Sequence, residues 1–175
     1  MNLIDNEGKW YAVFVKTGDE DNVRERLEYK FAGKDLRVFV PKRKLRERSN
    51  GLWEIKIRSL FPGYVLINGL LGCDDYYMMK RVPGLIKVLR DSSMFYEIES
   101  EEMKILGKMI HNNEIIGTSS VLIDGGRTVV VEGPLLGLEG LIESIDRRKG
   151  RAKVRLNFIG ESRMVDLDVN VLQTV

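Results

Sequence analysis

The chain has 175 residues, enough for one domain or two small ones. Apolar residues make up 43% and charged residues 31%, as in an ordinary soluble globular protein, and a net charge of +2 does not by itself imply a nucleic-acid partner. A single cysteine, Cys73, and a single histidine, His111, exclude an internal disulfide, a thiolate metal cage and a His-pair metal site, and they argue against a His-based catalytic dyad. No apolar run is long enough to span a bilayer, and the opening residues lack the apolar core of a signal peptide, so a cytoplasmic location is expected.

In chain order, Trp10–Val15 is a continuous apolar run, as expected of a strand buried on both faces. Asp19 reads as an N-cap, with Glu20 and Asp21 in the first turn of a helix. Val23, Leu27 and Phe31 then form one apolar stripe, and Gly33 fits the C-cap. Leu36–Val40 reads as a second strand closed by Pro41. The basic run Lys42, Arg43, Lys44, Arg46 and Arg48 leads into Ser49-Asn50-Gly51, a hairpin turn signal. Beyond it Trp53, Ile55 and Ile57 alternate with Glu54, Lys56 and Arg58, which predicts a strand with one wet face. Phe61-Pro62-Gly63-Tyr64 interrupts the chain before the returning strand Tyr64–Ile67. A short helix over Tyr76–Arg81, a Val82-Pro83-Gly84 turn, a strand over Leu85–Leu89 and a helix opening at Ser100 complete this part. The order predicts an α+β unit, an antiparallel sheet with helices on one face, close to a ferredoxin-like plait.

The expected organisation is one domain over 9–110, a linker over 111–121 and a second domain over 122–175. In the second, strands are expected at 128–132, 139–146, 151–159, 162–167 and 170–174, which suggests a small β-barrel. Period-2 alternation turns Ala152, Val154 and Leu156 inward and puts Arg151, Lys153 and Arg155 in an outward row beneath Arg147, Arg148 and Lys149. Those six cations are either a solvated strand face or a phosphate-contacting edge.

Two motif sets carry a resemblance. Val129–Ile142, with its Gly133-Pro134 step and further glycines at 137 and 140, resembles a KOW motif, the signature of an SH3-like barrel. "WYAVFVKTG" followed by a helix, then "VFVPKRK", "RSLFPGYVLI" and "VPGLIKVL", resembles in order the NGN domain of the NusG transcription factors. The resemblance covers nearly the whole chain. It implies a transcription elongation and antitermination factor, with no enzymatic activity and no cofactor. The NGN domain would bind RNA polymerase at the clamp helices of the largest subunit, and the KOW domain would bind RNA or a partner protein.

Carried onto this chain, the docking patch is Phe14, Phe61, Tyr64 and Leu66, where Phe14 shares a strand face with Trp10 and Ala12 and Leu66 shares one with Tyr64. Lys42, Arg43 and Lys44 become candidates for upstream DNA, and Arg147, Arg148, Lys149, Arg151, Lys153 and Arg155 for RNA. The position next to Gly160, aromatic in the housekeeping proteins, reads as Ile159. With the basic strand, that is similar to the specialised LoaP-type antiterminators. The alternatives are an RNA-binding module independent of polymerase, a general factor coupling to translation or termination machinery, and, with no nucleophile or phosphate-cradling motif to support it, a metabolic enzyme.

Overall fold

The computed structural model describes Ile4 and residues 8–92, 94–111 and 114–173. The elements in order are β1 (Trp10–Val15), α1 (Glu20–Lys30), β2 (Arg37–Phe39), β3 (Lys42–Ser49), β4 (Leu52–Ser59), β5 (Tyr64–Asn68), α2 (Cys73–Lys80), β6 (Leu85–Val88), β7 (Arg90–Asp91), β8 (Met94–Phe95) and α3 (Ser100–Met109). There follow β9 (Ile115–Ile116), β10 (Ser119–Asp124), β11 (Arg127–Glu132), a 3-10 turn (Glu139–Leu141), β12 (Ile142–Asp146), β13 (Arg151–Phe158) and β14 (Glu161–Val171).

The N-terminal sheet has the order β2-β5-β1-β6, every neighbour antiparallel, which is the plait expected from the sequence. Strand alternation divides its side chains between two cores. Val13, Val15, Val38, Val65 and Ile67 face one side, where Val23 and Leu27 of α1, Phe31 and Met79 of α2 cover them. Trp10, Ala12, Phe39 and Leu66 face the other side and join Met103, Leu106 and Met109 of α3. Helices therefore lie on both faces, not on one, because α3 carries its own apolar stripe and the second sheet face is too apolar to leave wet.

The C-terminal sheet has the order β11-β10-β14-β13-β12 and curls into a half-barrel. β13 alternates strictly, with Ala152, Val154, Leu156 and Phe158 buried and the residues between them less so. Three sequence expectations change here. Residues 139–141 form a 3-10 turn, so the strand expected at 139–146 starts at Ile142. The strands expected at 162–167 and 170–174 are one continuous strand, β14, since no Gly or Pro breaks it; residue 174 lies outside the described residues. The expected linker contains structure: Ile115 and Ile116 pair in parallel with Lys42 and Arg43, and β10 opens at Ser119. Gly133 shows why its loop needs glycine: it holds φ +102, and a Cβ there would stand 2.7 Å from the Ser119 Cα and the Thr118 carbonyl oxygen.

The side chains of the barrel interior and of the second sheet face form one continuous apolar cluster. The two halves of the chain are packed together. No described helix is long and apolar enough to cross a membrane.

Candidate docking site

Phe61-Pro62-Gly63-Tyr64 is a hydrogen-bonded turn, the Tyr64 N–H donating to the Phe61 carbonyl at 3.1 Å. Pro occupies the second position and Gly63, at φ +87, the third, which are the places a type II turn assigns them. A Cβ on Gly63 would sit 2.9 Å from the Phe14 ring. The buried Glu20 carboxylate accepts the Gly63 N–H at 2.8 Å and the Gly18 N–H at 2.9 Å, so it ties the start of α1 to this turn. Asp19 sits at the N-cap position, but its carboxylate takes Asn22 and Arg26 instead of a backbone N–H.

The turn aims Phe61 and Tyr64 the same way, onto Phe158 at the end of β13. The Phe61 and Phe158 rings stack parallel with centroids 3.9 Å apart. Tyr64 meets Phe158 edge-on at 5.4 Å and Phe14 at 5.4 Å. The Arg163 guanidinium lies 5.1 Å from the Tyr64 ring centroid and 5.6 Å from that of Phe158. Phe61 and Leu66 are buried, while Phe14 and Tyr64 are half-buried. Of the four residues singled out in the sequence, Phe61 and Tyr64 are thus covered by Phe158 of the barrel, Phe14 meets Tyr64, and Leu66 belongs to the same apolar cluster as Phe61.

α3 brackets this contact. Glu102, itself buried, accepts the Ile159 N–H at 2.9 Å and the Gly160 N–H at 3.0 Å, the two residues of the turn between β13 and β14. Ile159 is the position corresponding to the family's aromatic; Phe158, one residue earlier, is the aromatic that packs on Phe61 and Tyr64. Its inward parity along β13 was readable in the sequence, but the surface it would meet was not.

A second contact joins the hairpin to the barrel. Arg46 donates to the buried Asp168 carboxylate at 3.1 Å and to the Val169 carbonyl at 2.7 Å, and the Thr118 hydroxyl donates to the same Asp168 at 2.6 Å. Arg43 donates to the Asp166 carbonyl at 2.8 Å, and Arg151 to the Arg46 carbonyl at 3.1 Å. Arg43 and Arg151 are therefore not free cations. Burial pulls the Arg43 guanidinium below its ordinary pKa; the Asp166 charge opposes this and neighbouring Arg151 adds to it.

Of the other basic candidates, Lys42 pairs with Asp21 at 2.8 Å, and Lys44 is half-buried on the hairpin. Arg147, Arg148, Lys149, Lys153 and Arg155 are exposed; Arg155 donates to Glu143 at 2.6 Å and to Ser162 at 3.2 Å. The outward row expected along β13 keeps Lys153 and Arg155 and loses Arg151 to the hairpin. Among the described residues no group of His, Cys, Asp and Glu could hold a metal ion. Cys73 is free and exposed.

The chain is similar over 93% of its length to the transcription termination/antitermination protein NusG of Bacillus subtilis, at 27% identity, covering 96% of that protein. It is similar over 97% of its length to the protein of the same name from Halalkalibacterium halodurans, at 28% identity, covering 99% of it. Among solved structures, one titled "Domain interaction in Thermotoga maritima NusG" superposes with a TM-score of 0.60 at 22% identity, over 93% of this chain and 94% of that one, a likeness of fold. Residues 8–107, which hold the plait and Phe14, Phe61, Tyr64 and Leu66, match the family described as "NusG: Transcription termination factor nusG", and the chain belongs to that family.

Proposed function

We propose that this chain is a non-catalytic transcription elongation and antitermination factor that docks on RNA polymerase, at the clamp helices of its largest subunit, through Phe14, Phe61, Tyr64 and Leu66. The observation that carries the reading is the aromatic contact at Phe158: beside α3 of its own half, the apolar patch is filled by a ring from the other half of the chain, 3.9 Å from Phe61. A patch of that composition accepts a partner helix when its cover leaves. Barrel and polymerase then compete for one surface, and the apparent affinity is the intrinsic affinity scaled by the fraction of open molecules.

The barrel, once released, offers Arg147, Arg148, Lys149, Lys153 and Arg155 to RNA, joined by Arg151 as it leaves the hairpin. Release likewise frees Arg43, which with Lys42 and Lys44 forms the basic side of the hairpin facing upstream DNA. The absence of an aromatic next to Gly160 supports a specialised antiterminator. Such a factor works in the cytoplasm on the transcription complex and needs no cofactor.

Equilibrium binding of the purified chain to core RNA polymerase tests the reading. Phe158→Ala, which thins the cover, is expected to tighten binding by roughly tenfold, the scale of one lost aromatic pair and its buried area. Tyr64→Ala is expected to weaken it by at least as much. Affinities unchanged by both substitutions would overturn the proposal.

A further inference from the structure

The hairpin strand β4 does not have the single wet face its alternation predicts. Its apolar residues are exposed as well: Trp53 is 50%, Ile55 59% and Ile57 47% accessible. β3 pairs with β4 on one side, and no described strand lies on the other. The edge is eight residues long, carries no proline and pairs with β3 without a bulge. Edges of this kind invite another strand.

The backbone groups on the open edge can be assigned. Asn50 at φ +51 and Gly51 at φ +81 form a two-residue turn, which makes Ser49 and Leu52 a hydrogen-bonded pair. By alternation Trp53, Ile55 and Ile57 then direct their N–H and C=O groups away from β3. The Arg46 carbonyl, opposite Ile55, agrees: it points to the far side of β3, where Arg151 donates to it.

We infer that β4 pairs antiparallel with β4 of a second copy of this chain, about a two-fold axis through Ile55. In that register Ile55 meets Ile55 and Trp53 meets Ile57, so apolar residues match on one face. On the other face Glu54 stands opposite Lys56 of the second copy and Lys56 opposite Glu54. Within its own chain Glu54 faces Glu47 across the ladder, a like-charge pair, and among the described residues it pairs with Lys56 of the same strand, at 2.7 Å. The second copy gives each Glu54 a cross-strand cation. The three-stranded sheet β4-β3-β9 becomes continuous across the two molecules. One strand pair buries less than the roughly 1,200 Å² typical of stable complexes, so the dimer is weak and concentration-dependent. This inference does not rest on the polymerase reading.

Sedimentation equilibrium of the full chain over a wide concentration series tests it. The average mass of the wild type is expected to rise toward the dimer. Glu54→Lys places Lys against Lys56 twice per dimer and should weaken association by about tenfold, whereas the double exchange Glu54→Lys with Lys56→Glu should restore it. A cross-linking arm fixes the register in a Cys73→Ser background. Ile55→Cys brings two Cα atoms to about 5.5 Å, within disulfide reach, and should oxidise to a covalent dimer. Trp53→Cys should not cross-link to itself but should cross-link to Ile57→Cys in a mixture. A monomer at every concentration, a dimer that Glu54→Lys leaves unchanged or the double exchange fails to restore, or cross-linking at 53 as ready as at 55 would each overturn the inference.

Discussion

Ile159 holds φ +54, a left-handed conformation that a β-branched residue adopts at a cost of about 1–2 kcal/mol. Gly160 beside it, at φ +70, meets no such penalty. The strain persists because the turn is held from outside: Glu102 takes both amide hydrogens, and the Ile159 side chain packs against the shared core. Ile159→Asn keeps the amide and suits the left-handed region. It is expected to raise stability by about 1 kcal/mol, the relieved strain exceeding the lost apolar contact. Thermal unfolding would show a higher midpoint; a lower one would mean that the packing of Ile159 outweighs its backbone.

At the scale of elements, α3 acts as a bracket between the plait and the barrel. Its apolar face enters the common core through Met103, Leu106 and Met109, and its first turn delivers Glu102 to the β13–β14 turn. Two charge-assisted hydrogen bonds from one carboxylate are stronger than neutral ones. Glu102→Gln keeps one acceptor oxygen and loses the charge. The Ile159 and Gly160 amides are expected to exchange with solvent roughly tenfold faster, the equivalent of about 1.4 kcal/mol of local opening, while amides of α1 keep their rates. Uniform acceleration across the chain would place the effect in global stability instead. The hairpin is the contrasting element: its two strands pair along their whole length, and the barrel strand β14 packs on β3, yet the apolar stripe of β4 stays in water.

For the whole molecule, the barrel is held at two separate places, the Phe61–Phe158 stack and the Arg46–Asp168 pair. The second is not without cost. The Nε atoms of Arg43 and Arg151 are buried there with no hydrogen-bond partner, and two guanidinium groups lie close together. An interface that leaves donors unsatisfied is easier to open than a fully matched one. If the barrel closes as a unit, Phe158→Ala and Asp168→Asn will not add: once one substitution releases it, the other changes little. Small-angle scattering should then give nearly the same expanded radius of gyration for the double variant as for the more open single variant. Strictly additive expansion would mean that the contacts open independently.

Much of this architecture was written in local pattern. The Val23, Leu27 and Phe31 stripe, the Asn50-Gly51 turn, the Pro-Gly step between Phe61 and Tyr64 and the alternation of β13 each depend on neighbours within a few residues, so sequence alone determined those elements. Tertiary structure decided what each surface meets. Phe158 was legible as inward-facing, but that it stacks on Phe61, that Arg43 and Arg151 leave the basic rows for the hairpin–barrel contact, and that Trp53, Ile55 and Ile57 stay exposed are all products of how the halves dock. The reason is physical. Periodicity fixes the direction of a side chain relative to its own backbone, whereas burial and pairing depend on contacts between residues about a hundred positions apart, which no local pattern encodes.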